Sequence, residues 1–128
     1  MVPMSQDVAR IGASRYIRLT TFKKDGTAMP TPVWVVDDGE RVYVTTLEGA
    51  GKLKRIRNSG RVLVAPSDWR GTPNGDEVEG QAQLLDAAGD ERVRGLIQSK
   101  YGLEYRFFTL MGKLRRSGGP SVGIAITL

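Results

Sequence analysis

Apolar residues fall at every second position in several short runs of this chain, and a period of two predicts β-strands. In "RYIRLTTF", Ile17, Leu19 and Thr21 alternate with Tyr16, Arg18, Thr20 and Phe22. "KKDGT" then supplies an Asp-Gly turn, and "AMPTPVWVV" reads as the return strand. "DDGE" is a second turn of this kind and leads into "RVYVTTL", so three consecutive strands form an antiparallel meander. "RVLVAP" and "EVEGQAQLLD" follow as fourth and fifth strands around the polar loop "SDWRGTPNGD"; Val78, Gly80, Ala82 and Leu84 share one face of the fifth. "SVGIAITL" alternates once more and makes a sixth.

Elsewhere the period becomes helical. Ser5 is placed to cap a short first helix with Val8 and Ile11 on its apolar side. "GKLKRIR" predicts a basic helix with Leu53 and Ile56 as its buried pair. Val93, Leu96, Ile97 and Tyr101 recur at helical spacing over 90–101, with Gly102 as the C′ residue. A last helical pattern runs through Leu103, Phe107, Leu110, Met111 and Leu114; Arg115 and Arg116 suit its negative end, and "SGGP" stops it. The fold class expected is mainly β: one domain over 1–128, a six-stranded antiparallel β-barrel with helical inserts. A barrel of this size is filled by its own side chains, so a ligand belongs at a mouth, a split between sheets or a subunit boundary.

Composition narrows the chemistry. The 128 residues include no cysteine and no histidine. That excludes disulfides, thiolate nucleophiles, a Ser-His-Asp triad, the usual zinc sites and a His-ligated haem; no metal site is expected, and no catalytic residue stands out by spacing. With no secretory signal and no apolar run near the length of a membrane span, the expectation is a soluble cytoplasmic protein. The net charge is +5, and the segment 49–67 holds five basic residues (Lys52, Lys54, Arg55, Arg57, Arg61) and no acidic one. So local a surplus suggests one anionic ligand. Nucleic acid is not expected, because Phe22, Trp34 and Tyr43 lie apart from the basic cluster in sequence.

Two stretches carry the candidate chemistry. In "GAGKLKRIR" the first-turn N–H groups and glycines favour an anion, and Lys52 is a cation where the helix dipole disfavours one. Helical geometry sets Lys52 and Arg57 beside the buried stripe and points Lys54 and Arg55 mostly outward. The plain alternative is a solvated basic face. In "MPTPVW", Pro30 and Pro32 sit two apart, so their missing N–H groups lie along one strand edge, next to a gap bordered by Thr31, Val33 and Trp34. Here the plain alternative is an ordinary edge strand blunted by proline.

Together, "LTTFKKDGTAMPTPVWVV…RVYVTTLEGAGKLKRIRNSGRVLVAPSDWRGTP…VEGQAQLLD" resembles the split β-barrel flavin and deazaflavin oxidoreductases, the pyridoxamine 5′-phosphate oxidase-like superfamily, and within it the branch that uses coenzyme F420. The resemblance spans residues from about 15 to 100 and is loose after Tyr101. It implies a split barrel in which Thr31, Pro32, Val33 and Trp34 run beside the deazaflavin ring. Thr45 and Thr46 would hold the ring edge or side chain, and Gly51, Lys52, Lys54 and Arg55 the phosphate and acidic tail. It also implies a homodimer with cofactor sites at the interface, the loop 67–72 with Trp69 being one segment the second protomer would lend. The activity implied is hydride transfer between F420 and a conjugated small molecule. The alternatives are an FMN-dependent oxidoreductase of the same fold, or an F420-binding protein without turnover.

Overall fold

In the computed structural model, which describes residues 4–47, 51–102 and 121–128, seven strands form one antiparallel sheet. In chain order the elements are α1 (Met4–Gly12), β1 (Tyr16–Phe22), β2 (Ala28–Val33), β3 (Val35–Asp37), β4 (Val42–Leu47), α2 (Gly51–Asn58), β5 (Arg61–Ser67), β6 (Val78–Leu84), α3 (Ala87–Tyr101) and β7 (Ser121–Thr127). The spatial order is β2-β1-β5-β6-β7-β4-β3. The helical pattern expected over 103–114 lies outside the described residues.

The seventh strand comes from a break that the alternation in "AMPTPVWVV" hides. Its first half, β2, pairs with β1 (Ile17 opposite Val33, Leu19 opposite Thr31), whereas its second half, β3, pairs with β4 (Val35 opposite Val44). The expected three-strand meander is therefore divided at Trp34, and its halves stand at opposite ends of the sheet. Since only Trp34 separates β2 from β3 in the chain, the sheet curls until its ends nearly meet: a barrel closed by a covalent link instead of a ladder.

The turns fold for the reasons their residues suggest. Gly26 and Gly39 have φ of 89° and 90°, which glycine adopts without the Cβ penalty. The Asp25 carboxylate accepts from Thr27 N at 2.9 Å, and Asp38 accepts from Glu40 N and Arg41 N, both at 2.9 Å. At α1 the expectation needs correction: the helix already includes Met4, so Ser5 lies in its first turn and is not the cap. α3 is capped by Asp86, which accepts from Gly89 N at 2.8 Å, and ends at Gly102 with φ of 51°.

The barrel interior is packed with Ile17, Leu19, Val42, Val44, Val62, Val64, Ile124 and Ile126, closed over by Ile11 of α1 and by Leu53 and Ile56 of α2. A second cluster forms outside the barrel, where Val93, Ile97 and Tyr101 of α3 cover Val36, Tyr43 and Ala125. The C-terminal end of α3 also fastens the corner. Lys100 Nζ donates to the carbonyls of Gly12 at 2.7 Å, Ser14 at 2.5 Å and Val35 at 2.7 Å. The Tyr101 hydroxyl accepts from Val35 N at 3.0 Å and lies 2.7 Å from the Arg15 carbonyl, to which it donates. Trp34 stacks on the Tyr101 ring, centroids 4.5 Å apart and planes 11° from parallel.

Burial pushes the Tyr101 phenol up to about 12. A raised folded-state value means that its contribution to stability is complete below about pH 10 and is lost as pH climbs towards 12. Tyr101→Phe strands the Val35 N–H and is expected to cost about 1–3 kcal/mol in urea unfolding at neutral pH. The gap between wild type and variant should narrow above pH 10; a constant gap would mean that the phenol titrates normally.

Candidate cofactor-binding site

The split at Trp34 leaves two strand edges bare. β3 pairs with β4 only as far as Val35 opposite Val44. The same register, continued, would set Val33 opposite Thr46, but Val33 is paired with Ile17 of β1. β2 and β4 thus diverge from the corner, and among the described residues neither Thr45–Thr46 on that side of β4 nor the outer edge of β2 has a ladder partner. Along an antiparallel strand every second residue directs its N–H and C=O to a given edge, so both sides of this opening carry unspent backbone polar groups. On β2 the edge facing away from β1 is where Pro30 and Pro32 are tolerated, which leaves it carbonyls and no donors at those positions.

The predicted strand residues border this opening but differ in orientation. Thr31 and Val33 share the interior face with Leu19 and Ile17. The Thr31 hydroxyl is buried and has no hydrogen-bond partner among the described residues. Pro32 points to the opposite face, where Gly71 packs closely: a Cβ on Gly71 would stand 3.4 Å from the proline ring. Trp34 has one indole face covered by Tyr101, so that face is closed to a ligand. Thr45 and Thr46 straddle β4: Thr46 lies beside Val122 on the barrel side, and Thr45 beside Gly123 on the side covered by α3. They serve different faces and cannot act as one clamp.

α2 follows the bare end of β4, and its four cations divide into two kinds. Lys54 and Arg57 are exposed. Lys52 is half-buried, as its place beside Leu53 and Ile56 requires. Arg55, expected to point outward, turns in: its Nε donates to Thr21 Oγ1 at 2.6 Å, and its Nη1 lies so near Gly51 that a Cβ there would sit 2.9 Å away. Lys52 and Arg55 are one helical turn apart, and neither forms an ion pair among the described residues. Burial, then the nearby Arg55 charge, holds the Lys52 ammonium below its ordinary value. A crowded, partly desolvated pair of cations beside a helix start is complementary to an anion, so these residues fit the phosphate end of a flavin-type group.

Other candidates are already engaged. Arg61, counted with the basic cluster in sequence, forms an ion pair with Glu79 at 2.8 Å and lies 4.5 Å over the Phe22 ring, so it is no part of the strip. Phe22 and Tyr43 are distant from the basic run in sequence but not from arginine: Arg41 and Arg92 both lie over Tyr43. The Tyr43 hydroxyl donates to Asp38 at 2.7 Å beneath α3, and Tyr101 serves the corner, so neither phenol is free to deliver a proton at the split. Among the described residues, no group of His, Cys, Asp or Glu is arranged to hold a metal, and no helix is long and apolar enough to cross a membrane. Trp69 is 64% exposed in the loop beside Pro32, with Arg70 over its ring.

An unpaired, half-buried cation is a cost to the unliganded fold. Lys52→Met is therefore expected to leave stability in urea unchanged or raise it by up to about 1 kcal/mol. A clear loss of stability would mean that the ammonium has a partner and is not held for a ligand.

Among solved structures, a conserved hypothetical protein from Mycobacterium tuberculosis is similar with a TM-score of 0.68, over 98% of this chain and 79% of its own, at 20% identity. An FAD-binding protein from Mesorhizobium loti gives 0.67, over 97% and 87%, at 19% identity. A heme storage protein from Vibrio cholerae gives 0.66, over 98% and 88%, at 9% identity. At these identities the likeness is one of fold, and it extends across proteins with different cargoes. No functionally curated protein matches the sequence. The family model for pyridoxamine 5′-phosphate oxidase matches residues 5–127, nearly the whole chain, and the chain belongs to that family.

Proposed function

We propose that this protein is a coenzyme F420-dependent oxidoreductase, working as a homodimer with its cofactor sites at the interface and acting on a conjugated, electron-poor small molecule. The observation that carries the proposal is the pair of bare strand edges on β2 and β4, followed in the chain by a half-buried cation pair with no ion-pair partner among the described residues. That is the shape and charge of a cavity for a planar head with an anionic tail. When bound, the deazaflavin supplies the hydride, which is how a chain lacking histidine and cysteine performs redox chemistry.

The protein's own part is placement. The edges of β2 and β4 give hydrogen-bond acceptors and donors to the polar rim of the ring, while Val33 supplies apolar contact. Lys52 and Arg55 neutralise the phosphate, with Gly51 giving room at the helix start. Exposed Lys54 and Arg57 continue the positive strip outward, and this extension favours F420, whose acidic tail is longer than a single phosphate. A second protomer covers the outer side of the opening, and the loop carrying Trp69 is the segment proposed to do so. The second reading, FMN in the same cavity, is favoured by the compactness of the Lys52–Arg55 pair and by the FAD-binding relative of the same fold.

The test is a fluorescence titration of the purified protein with F420 and, separately, with FMN. F420 is expected to bind more tightly, and the charge reversals Lys54→Glu and Arg57→Glu together should weaken F420 by about tenfold while changing FMN by no more than about twofold. Equal loss for both ligands, or a preference for FMN in the wild type, overturns the choice of cofactor but keeps the site.

A further inference from the structure

Thr21 stands on β1, 34 residues before Arg55, and is fully buried. It faces the barrel interior with Leu19, opposite Met29 of β2, at the end of the strand that α2 packs across. Its hydroxyl accepts from Arg55 Nε at 2.6 Å, a short bond from a charged donor. A β-branched side chain is stiff at χ1, so this acceptor is set by the strand and does not wander.

The bond decides the attitude of the whole guanidinium. With Nε committed to Thr21, the planar group lies across the start of α2, Nη1 against Gly51. Any side chain at Gly51 would have to displace it. The two Nη groups have no hydrogen bond or ion pair among the described residues, and the Arg55 charge is near enough to act on Lys52. Without the anchor, a long arginine beside a half-buried lysine would swing into solvent, since like charges one turn apart repel.

We propose that Thr21 is a positioning residue for anion binding: it holds Arg55 over the first turn of α2, with Gly51 as the seat, so that Lys52 and Arg55 form a fixed two-cation clamp before any ligand arrives. The proposal rests on the reading of α2 as the cofactor's anion site. Pre-setting a flexible side chain removes an ordering cost otherwise met at binding, a gain of roughly three- to tenfold in affinity per side chain.

Two measurements test it. In the first, F420 and FMN are titrated into wild type, Thr21→Val, Thr21→Ser, Arg55→Ala and the Thr21→Val/Arg55→Ala double variant. Thr21→Val should weaken whichever cofactor the wild type binds by roughly three- to tenfold, and Thr21→Ser should restore it. On the Arg55→Ala background, Thr21→Val should have no further effect, because Thr21 acts through Arg55. A loss of the same size on both backgrounds would show that Thr21 merely supports the fold and would overturn the proposal. The second measurement needs no cofactor: NMR titration of the Lys52 ammonium in the unliganded protein. Releasing Arg55 by Thr21→Val should move the Lys52 titration upward, towards that of an ordinary lysine, and Thr21→Ser should leave it in place. If the wild type binds neither F420 nor FMN, the cofactor reading fails and the Lys52 titration alone decides; an unmoved titration means that Thr21 does not hold the two cations together.

Discussion

One ammonium and one phenol, adjacent at the end of α3, gather the carbonyls of residues 12, 14, 15 and 35. Gly12 ends α1, Ser14 and Arg15 lie in the linker before β1, and Val35 is the first residue after the corner. Every one would otherwise be a polar group without a partner in a crowded place, the situation folded chains avoid most consistently. Lys100 suits this post because the end of a helix favours a cation. By fixing Val35 against the end of α1 and the linker that follows it, the pair anchors the point where β3 parts from β2. Burial holds the Lys100 ammonium below its ordinary value, so this fastening loses its proton at a lower pH than an ordinary lysine does.

The site depends on the corner in a second way. β2 and β4 diverge because Trp34 leaves the run of the strand and lays its ring on Tyr101. The stacking commits one face of an aromatic that the sequence offers as a ligand contact, and so trades binding surface for a defined hinge. The electrostatics of α2 make a similar exchange. Lys52 and Arg55 lie close together with no carboxylate beside them among the described residues, a state that disfavours the unliganded fold and favours any ligand bringing negative charge. Stability and affinity draw on the same two side chains with opposite signs.

How much of this could be read from the residues depends on the range of the interactions involved. The turns at Asp25-Gly26 and Asp38-Gly39, the buried pair Leu53 and Ile56, the α3 stripe and the alternating strands were all legible, because each is set by neighbours within a few positions. The break at Trp34 was not: alternation continues straight through "TPVWVV", and only the choice of partner strand divides it. Arg55 misled for a related reason. A helical wheel gives the direction of Cα–Cβ, whereas the end of an arginine is placed by whatever polar group it can reach, here a threonine from a different element. Arg61 joined the basic cluster on paper because Glu79 and Phe22 meet it only through strand pairing. The opposite facing of Thr45 and Thr46 is implied by the period of two, since neighbours on a strand point to opposite sides.

A bare strand edge is offered to every other molecule in a crowded cell, since exposed ladder groups template the addition of further chains and end in aggregates. The outer edge of β2 meets this hazard with Pro30 and Pro32, which offer carbonyls but no amide hydrogens at alternate positions. A small ring can still lodge against such an edge, because it needs only a few contacts. An incoming polypeptide strand needs an unbroken series and does not find one. The same two residues that keep the barrel from zipping shut therefore keep copies of the protein from zipping to one another.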